Sequence, residues 1–459
     1  AFFKKLLPDM DNLKIRASWG QIGNNRITDK DGYQDYYGYQ ATYKTYNYSF
    51  GGAQAAALAQ NRIGNSRLEW ESTTVTNFGV DAGFLNNRLT AELDVYNKVT
   101  DGILTTPNLH LTMGIKTPPT MNTAEVTNRG FELTVGWKDH VGDFNYAVST
   151  NFSYNHNEVT KYLGKYEAGW VEKDGKKVWQ SNIGDVSVDK DKGRIVEGHP
   201  IKEYYTLNTY SGNGTHFNSD GSVNINGGPK DGMIRTEGDM KWLNAMIDAG
   251  YKFMPNQSVG RNNIYYGDLI YADLNGDGIY GSSYDYDFQG SSAMPKFGYG
   301  INISASWKNF DLSMLWAGNG GFKLYWEEDP YNSVAIRNGF ATSERVANDH
   351  YFYDPENPTD SRTNLNGYIP RLVENSKQSR QTSNYYLYNG TYMKLKNLTI
   401  GYTLPVTLTE KISAERVRVY LSGENLFTIT SFPGQDPEMG ATTNYPSLRQ
   451  FAAGISVTF

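Results

Sequence analysis

The residues best suited to chemistry in this 459-residue chain lie in one short run, Asp273-Leu274-Asn275-Gly276-Asp277-Gly278-Ile279. Oxygen side chains at the first, third and fifth positions, a glycine at the sixth and a backbone carbonyl at the seventh are how a loop wraps a hard cation such as Ca²⁺. The closing carboxylate of such a loop belongs where Tyr284 stands, and Asp285 follows one residue late. The spacing therefore sets two readings side by side. In one, Asp273, Asn275, Asp277, the Ile279 carbonyl and Asp285 hold a calcium ion that stiffens a long loop. In the other, an Asx-rich turn caps its own amides without metal. A second set, Trp170, Trp179, Tyr204, Tyr205, Trp242, Tyr265, Tyr266 and Trp326, offers flat faces to sugar rings, although aromatics in loops also serve as packing. Which of them would touch a ligand is not fixed by the sequence.

Catalysis finds little support. Six histidines and no cysteine leave few nucleophilic triads, and no serine sits in a Gly-x-Ser-x-Gly elbow. The pairs Asp285/Asp287 and Glu327/Glu328 imitate a glycosidase acid and nucleophile, but adjacent acids on solvated loops are the commoner case. Gly318-Asn319-Gly320-Gly321 follows a strand and opens no helix, so it is no phosphate loop. A net charge of -6 argues against nucleic acid. The chain reads as no enzyme.

The elements that must carry these residues are strands. Phe451, Ala453, Ile455, Val457 and Phe459 fall on one face of the last run, with Ala452, Gly454, Ser456 and Thr458 on the other, because successive strand side chains point to opposite sides. A terminal strand of this kind, ending on Phe459, is the mark of an outer-membrane barrel, whose last strand pairs with its first and faces lipid. Ile455, Val457 and Phe459 are accordingly the candidate assembly signal. The same alternation recurs over residues 74–84, 89–95, 131–137, 144–154, 301–307, 310–316 and 417–421. Near Lys396-Asn397 the phase slips, which calls for a bulge. About ten crossing strands result.

Connections 85–88, 139–142, 308–309 and 405–415 are short, while 23–71, 101–125, 157–294, 320–390 and 430–448 are long. Short links at one rim and long loops at the other suit a bacterial outer-membrane barrel with its short side in the periplasm, which places Phe459 at the periplasmic rim. A mean hydropathy of -0.59 and the lack of any long apolar run exclude helical spans without touching a barrel. A soluble all-β protein that binds carbohydrate, and a passive porin or structural barrel, remain as alternatives. The start, Ala1-Phe2-Phe3-Lys4-Lys5, shows no signal sequence, so the chain is expected to be a piece of a longer one.

Several runs carry a family resemblance. Tyr392-Met393-Lys394-Leu395-Lys396-Asn397-Leu398-Thr399-Ile400-Gly401-Tyr402-Thr403-Leu404-Pro405, Arg418-Val419-Tyr420-Leu421-Ser422-Gly423-Glu424-Asn425-Leu426-Phe427, Gly434-Gln435-Asp436-Pro437-Glu438, Asn128-Arg129-Gly130-Phe131-Glu132-Leu133 and Gly267–Gly278 resemble, in order, the SusC/RagA-type TonB-dependent transporters. The resemblance implies that residues 1–459 are the C-terminal part of a 22-stranded barrel, without plug or N-terminal strands, bearing extracellular loops 157–294 and 320–390. It further implies outer-membrane location, a SusD-like surface lipoprotein as lid, TonB acting through the missing N-terminal portion, and import of oligosaccharides or peptides. Ten strands without the remainder would leave two open sheet edges.

Overall fold

The computed structural model describes residues 9–27, 34–105, 119–255, 264–328, 332–333, 335–336, 341–374 and 376–459. Its main body is one antiparallel sheet of ten strands: β1 (Met10–Asn24), β2 (Glu71–Phe84), β3 (Leu89–Thr105), β4 (Met121–Val141), β5 (Phe144–Lys161), β6 (Phe297–Trp307), β7 (Phe310–Gly320), β8 (Tyr392–Thr403), β9 (Arg416–Thr430) and β10 (Gln450–Thr458). Each strand pairs with its neighbour in sequence, so the sheet is an uninterrupted meander. Among the described residues β1 pairs only with β2 and β10 only with β9, and the sheet is open at both edges. The expected count of ten strands is met. Several strands are longer than expected, β4 at 21 residues and β5 at 18, because they continue past the apolar band as stems of the long loops.

The period-two pattern becomes two chemically distinct faces. From Phe144 to Tyr154 on β5, one face carries Phe, Tyr, Val, Thr, Phe and Tyr. On β6 the same face carries Trp307, Ala305, Ile303, Ile301, Tyr299 and Phe297. Register aligns these into rows. Phe144, Trp307, Phe310 and Tyr402 are successive cross-strand partners at the short-turn rim. Phe131, Tyr154 and Phe297 form the corresponding row towards the long loops. Between them run Val148, Ile303, Met314 and Leu398. The ten residues of strand between the two aromatic rows span about 33 Å, or roughly 25 Å across a layer once tilted by about 40°, the height of an outer-membrane apolar band.

The slip near Lys396 is a bulge. Leu315 faces Asn397, whereas Trp316 faces Leu395, and β9 shifts register at the same place. On β9 the extra residues fall at Asn425, which has a left-handed φ of 50°. Asparagine tolerates that region better than most side chains.

The dry core of the chain lies outside the sheet. Leu207, Met233, Trp242, Met246, Phe253 and Tyr271 belong to one buried cluster built from the long connections. It includes a helix that sequence periodicity missed, α1 (Glu237–Asp248), started by a capping box in which Thr236 and Asp239 satisfy each other's backbone amides. α1 buries Trp242, Leu243 and Met246 along one side. The described part of residues 162–294, with Tyr351 from the next long connection, is therefore a folded crown with its own interior rather than an extended loop.

Candidate functional site

The apolar face of the sheet is uncovered. Ile455 is 69% exposed, Leu421 64%, Phe310 52% and Trp307 52%, and the site residues expected at the end of the chain behave alike, with Val457 exposed and Phe459 at 85%. A sheet in water buries its hydrophobic face against a second layer, because each exposed side chain of this size forgoes about 1.5–3 kcal/mol of burial. Nothing among the described residues supplies that layer. A face of this extent, edged by aromatic rows at a bilayer's spacing, is made for acyl chains.

The opposite face is polar and internally paired. The Arg16 guanidinium on β1 forks onto Asp81 of β2 at 2.7 Å and Asp94 of β3 at 2.7 Å, and Asn77 also donates to Asp94. On β9, Arg418 grips Asp311 of β7 through Nε at 2.9 Å and Nη2 at 2.5 Å, reaching across β8. Both forks pass directly above a glycine. A methyl group at Gly79 would stand 2.7 Å from the Arg16 guanidinium carbon, and one at Gly401 would stand 2.5 Å from Asp311. Bidentate pairs of this kind fix geometry as well as charge. They stitch three neighbouring strands together on the side that would otherwise be open to water.

Where the sheet meets the crown, the Lys394 side chain is 2% exposed and lies 2.6 Å from Asp436 and 2.7 Å from Glu438. Lys396 also bonds Glu438, and the Ser447 hydroxyl donates to Asp436 at 2.5 Å. Burial alone would raise both carboxyls, but the Lys394 ammonium, helped by Ser447 at one and Lys396 at the other, holds both below their ordinary values. This cluster ties residues 436–447 to β8. Sequence reasoning singled out neither it nor the arginine forks, since the partners lie tens of residues apart and meet only through register.

The Asp273 loop is wound as a turn. Asp273 accepts the amides of Gly276 at 2.7 Å and Gly278 at 2.8 Å. Asn275 accepts that of Asp277, and Asp277 that of Ile279. Asp273, Asn275 and Asp277 are thus brought together. Asp285 is not part of their ring: its two oxygens take the Leu274 and Ser282 amides at 2.9 and 2.7 Å. Burial pushes its carboxyl up against those bonds. Among the described residues no group of three or more His, Cys, Asp or Glu side chains is arranged to hold a metal. The hairpin Ala168–Lys173 and Lys176–Ser181 clamps the turn, with the Trp170 indole donating to the Asn275 carbonyl at 2.9 Å.

Most of the candidate stacking aromatics turn out to be packing. Trp242, Tyr204, Tyr205, Tyr266 and Trp326 are buried, and only Trp170 and Tyr265 are exposed, with Trp179 between. Two large cavities open on the polar side of the sheet. One, of about 890 Å³, sits at the short-turn rim around Arg88, Asp139 and Asp311. The other, of about 850 Å³, lies between the crown and the upper ends of β7 and β8.

A single-layer sheet with a lipid-facing band, a charged inner wall and all its long links at one rim defines a transmembrane β-barrel wall of the outer-membrane class. The chain belongs to the TonB-dependent receptor-like β-barrel family, whose model matches residues 8–259. It is 26% identical over 462 residues to TonB-dependent receptor P3 of Formosa agariphila, covering 97% of this chain and 39% of that protein. It is 25% identical over 462 residues to TonB-dependent receptor SusC of Bacteroides thetaiotaomicron, covering all of this chain and 38% of SusC. The chain therefore spans about two fifths of the length of these relatives. Among solved structures, a chain of the RagAB peptide importer in the "open-open" state superimposes with a TM-score of 0.65 at 22% identity, over 100% of this chain and 42% of that one. The RagAB peptide transporter gives 0.63 over 98% and 41%. These superpositions establish the fold. The family is one of outer-membrane receptors and transporters, and no helix among the described residues is long and apolar enough to cross a membrane.

Proposed function

We propose that this chain supplies the wall and outer crown of a TonB-dependent importer of the SusC kind, through which oligosaccharides, or peptides, cross the outer membrane. Its ten strands would be completed by further strands into a barrel of about 22, with TonB acting through a plug elsewhere in the protein. The observation that carries this reading is the division of the sheet: one face uncovered and apolar, the other lined with paired charges and roofed at one rim by folded loops. A barrel that merely leaks needs no roof with its own hydrophobic core.

A SusD-like surface lipoprotein is the proposed partner at the loop rim. The hairpin of Thr42–Phe50 and Ala53–Arg62 supports it, since Tyr46 and Tyr48 face Ala57 and Ala55 in register and remain exposed. An isolated two-stranded hairpin is marginal in water, and a lid would cover it. The function is tested by uptake of a fluorescent oligosaccharide and a fluorescent peptide into cells with and without the gene. The expected result is gene-dependent uptake of one of them, abolished by a protonophore. Uptake that survives the protonophore would identify a passive porin instead.

A further inference from the structure

The cavity beneath the crown has a composition that the general reading does not use. Its lining combines the half-buried Tyr325 and the edges of the buried Tyr204, Phe322 and Tyr392 with Asp191, Lys192, Lys202, Asn319 and Glu438. Met294 stands exposed beside them. At about 850 Å³ it is large enough for an oligosaccharide of a few rings. The tyrosine hydroxyls are already committed, Tyr204 donating to the Lys323 carbonyl at 3.1 Å and Tyr392 accepting from Asn319 at 3.0 Å. Tyr204 and Tyr392 are thus held as packing, and the half-buried Tyr325 is the tyrosine of the lining with ring surface left.

The charges around the cavity do not cancel. Asp191 is bound to Lys202 at 2.7 Å. Glu438 and Asp436 are matched by Lys394 and Lys396. That leaves Lys192, whose ammonium has no carboxylate partner among the described residues and sits 5.6 Å from the Tyr325 ring centroid. Its backbone, like those of Asp191 and Lys202, is in the left-handed region, with φ of 67°, 52° and 56°. Non-glycine residues pay for that conformation, and here three of them line one cavity.

We propose that this cavity is a subsite for an anionic sugar, with its ring against Tyr325 and its carboxylate or sulfate paired with the neighbouring Lys192 ammonium. The reading rests on the import function only in taking the occupant to be a saccharide.

The test is isothermal titration of the full-length protein in detergent with trigalacturonate, its methyl ester, a sulfated galactose disaccharide and trialanine. The expected result is that one or both anionic sugars bind, with the ester and trialanine at least about tenfold weaker, the size of one lost charge-assisted bond. Whichever of the carboxylated and sulfated probes binds more tightly identifies the anion. Lys192→Met should erase the preference for acid over ester, and Lys192→Arg should keep it. Tyr325→Ala should weaken acid and ester alike by a few-fold. Equal binding of acid and ester, an unchanged preference in Lys192→Met, tighter binding of trialanine, or no binding of either anionic sugar would each overturn the proposal. Binding by purified protein and uptake by cells are separate readouts, so loss of one does not imitate loss of the other.

Discussion

At the scale of single residues, the two faces of one strand make opposite demands. Ile303 lies mid-band on the lipid side and Ser304 beside it on the inner side. Ile303→Lys is expected to cost about 2–4 kcal/mol of barrel stability, and Ser304→Lys far less, measured by urea unfolding in lipid vesicles. Equal effects would mean that the two faces meet the same medium. The Asp436–Glu438 cluster makes a second residue-level claim. Both carboxyls are held below their ordinary values, so their stabilising contribution is present above the unfolded-state range of about 4 to 4.5 and fades as pH falls through the lower folded values. Hydrogen exchange over residues 436–447 should therefore be slow at neutral pH and accelerate below about pH 4. A segment whose exchange, corrected for intrinsic rate, ignores that range is not held by these charges.

At the scale of elements, the crown and the wall separate energetically. Trp242 is fully buried in the crown core, and Trp242→Ala is expected to cost about 3–5 kcal/mol there. Limited proteolysis should then cut within residues 203–253 while the heat-modifiable migration of the barrel on a gel stays as in the parent protein. We propose that the Asp273 turn also takes Ca²⁺, through Asp273, Asn275, Asp277 and the Ile279 carbonyl, with Asp285 serving as a backbone clamp. Chelation with EGTA should then speed cleavage between residues 267 and 287, and added Ca²⁺ should reverse it; a rate indifferent to both would leave the amide bonds as the turn's sole support. These elements also show what a sequence can disclose. Alternation exposed the strands, and its one slip located the bulge at Lys396-Asn397, because both are set by neighbours in the chain. α1 escaped notice although Trp242, Leu243 and Met246 keep helical spacing, because one twelve-residue run inside a long connection gives the pattern little room to repeat; the Thr236/Asp239 box was the local sign that it was there. The Arg16, Asp81 and Asp94 fork was not legible at all, since nothing short of register brings residue 16 beside residues 81 and 94.

At the scale of the whole molecule, the open sheet is the feature that needs completing. Among the described residues the outer edges of β1 and β10 have no strand beside them, and in lipid the amides of such an edge must find partners. If the barrel closes through further strands, amides along Gln450–Thr458 that point away from β9 should exchange as slowly in the full-length protein as those that point towards it. Fast exchange on the outward side alone would show that the edge stays free. The loop-length alternation, read from turns and hydrophobic phase, carried over to the fold almost unchanged, whereas the cavity under the crown was not legible, because its walls come from five distant segments.

Because every long connection leaves the sheet at the same rim, the part that meets the outside world can be exchanged without disturbing the part that must be inserted. The crown's own hydrophobic interior makes it a head whose packing is separate from the lipid-facing band of the wall beneath it. Variants of such a design can rebuild the head and inherit the wall intact.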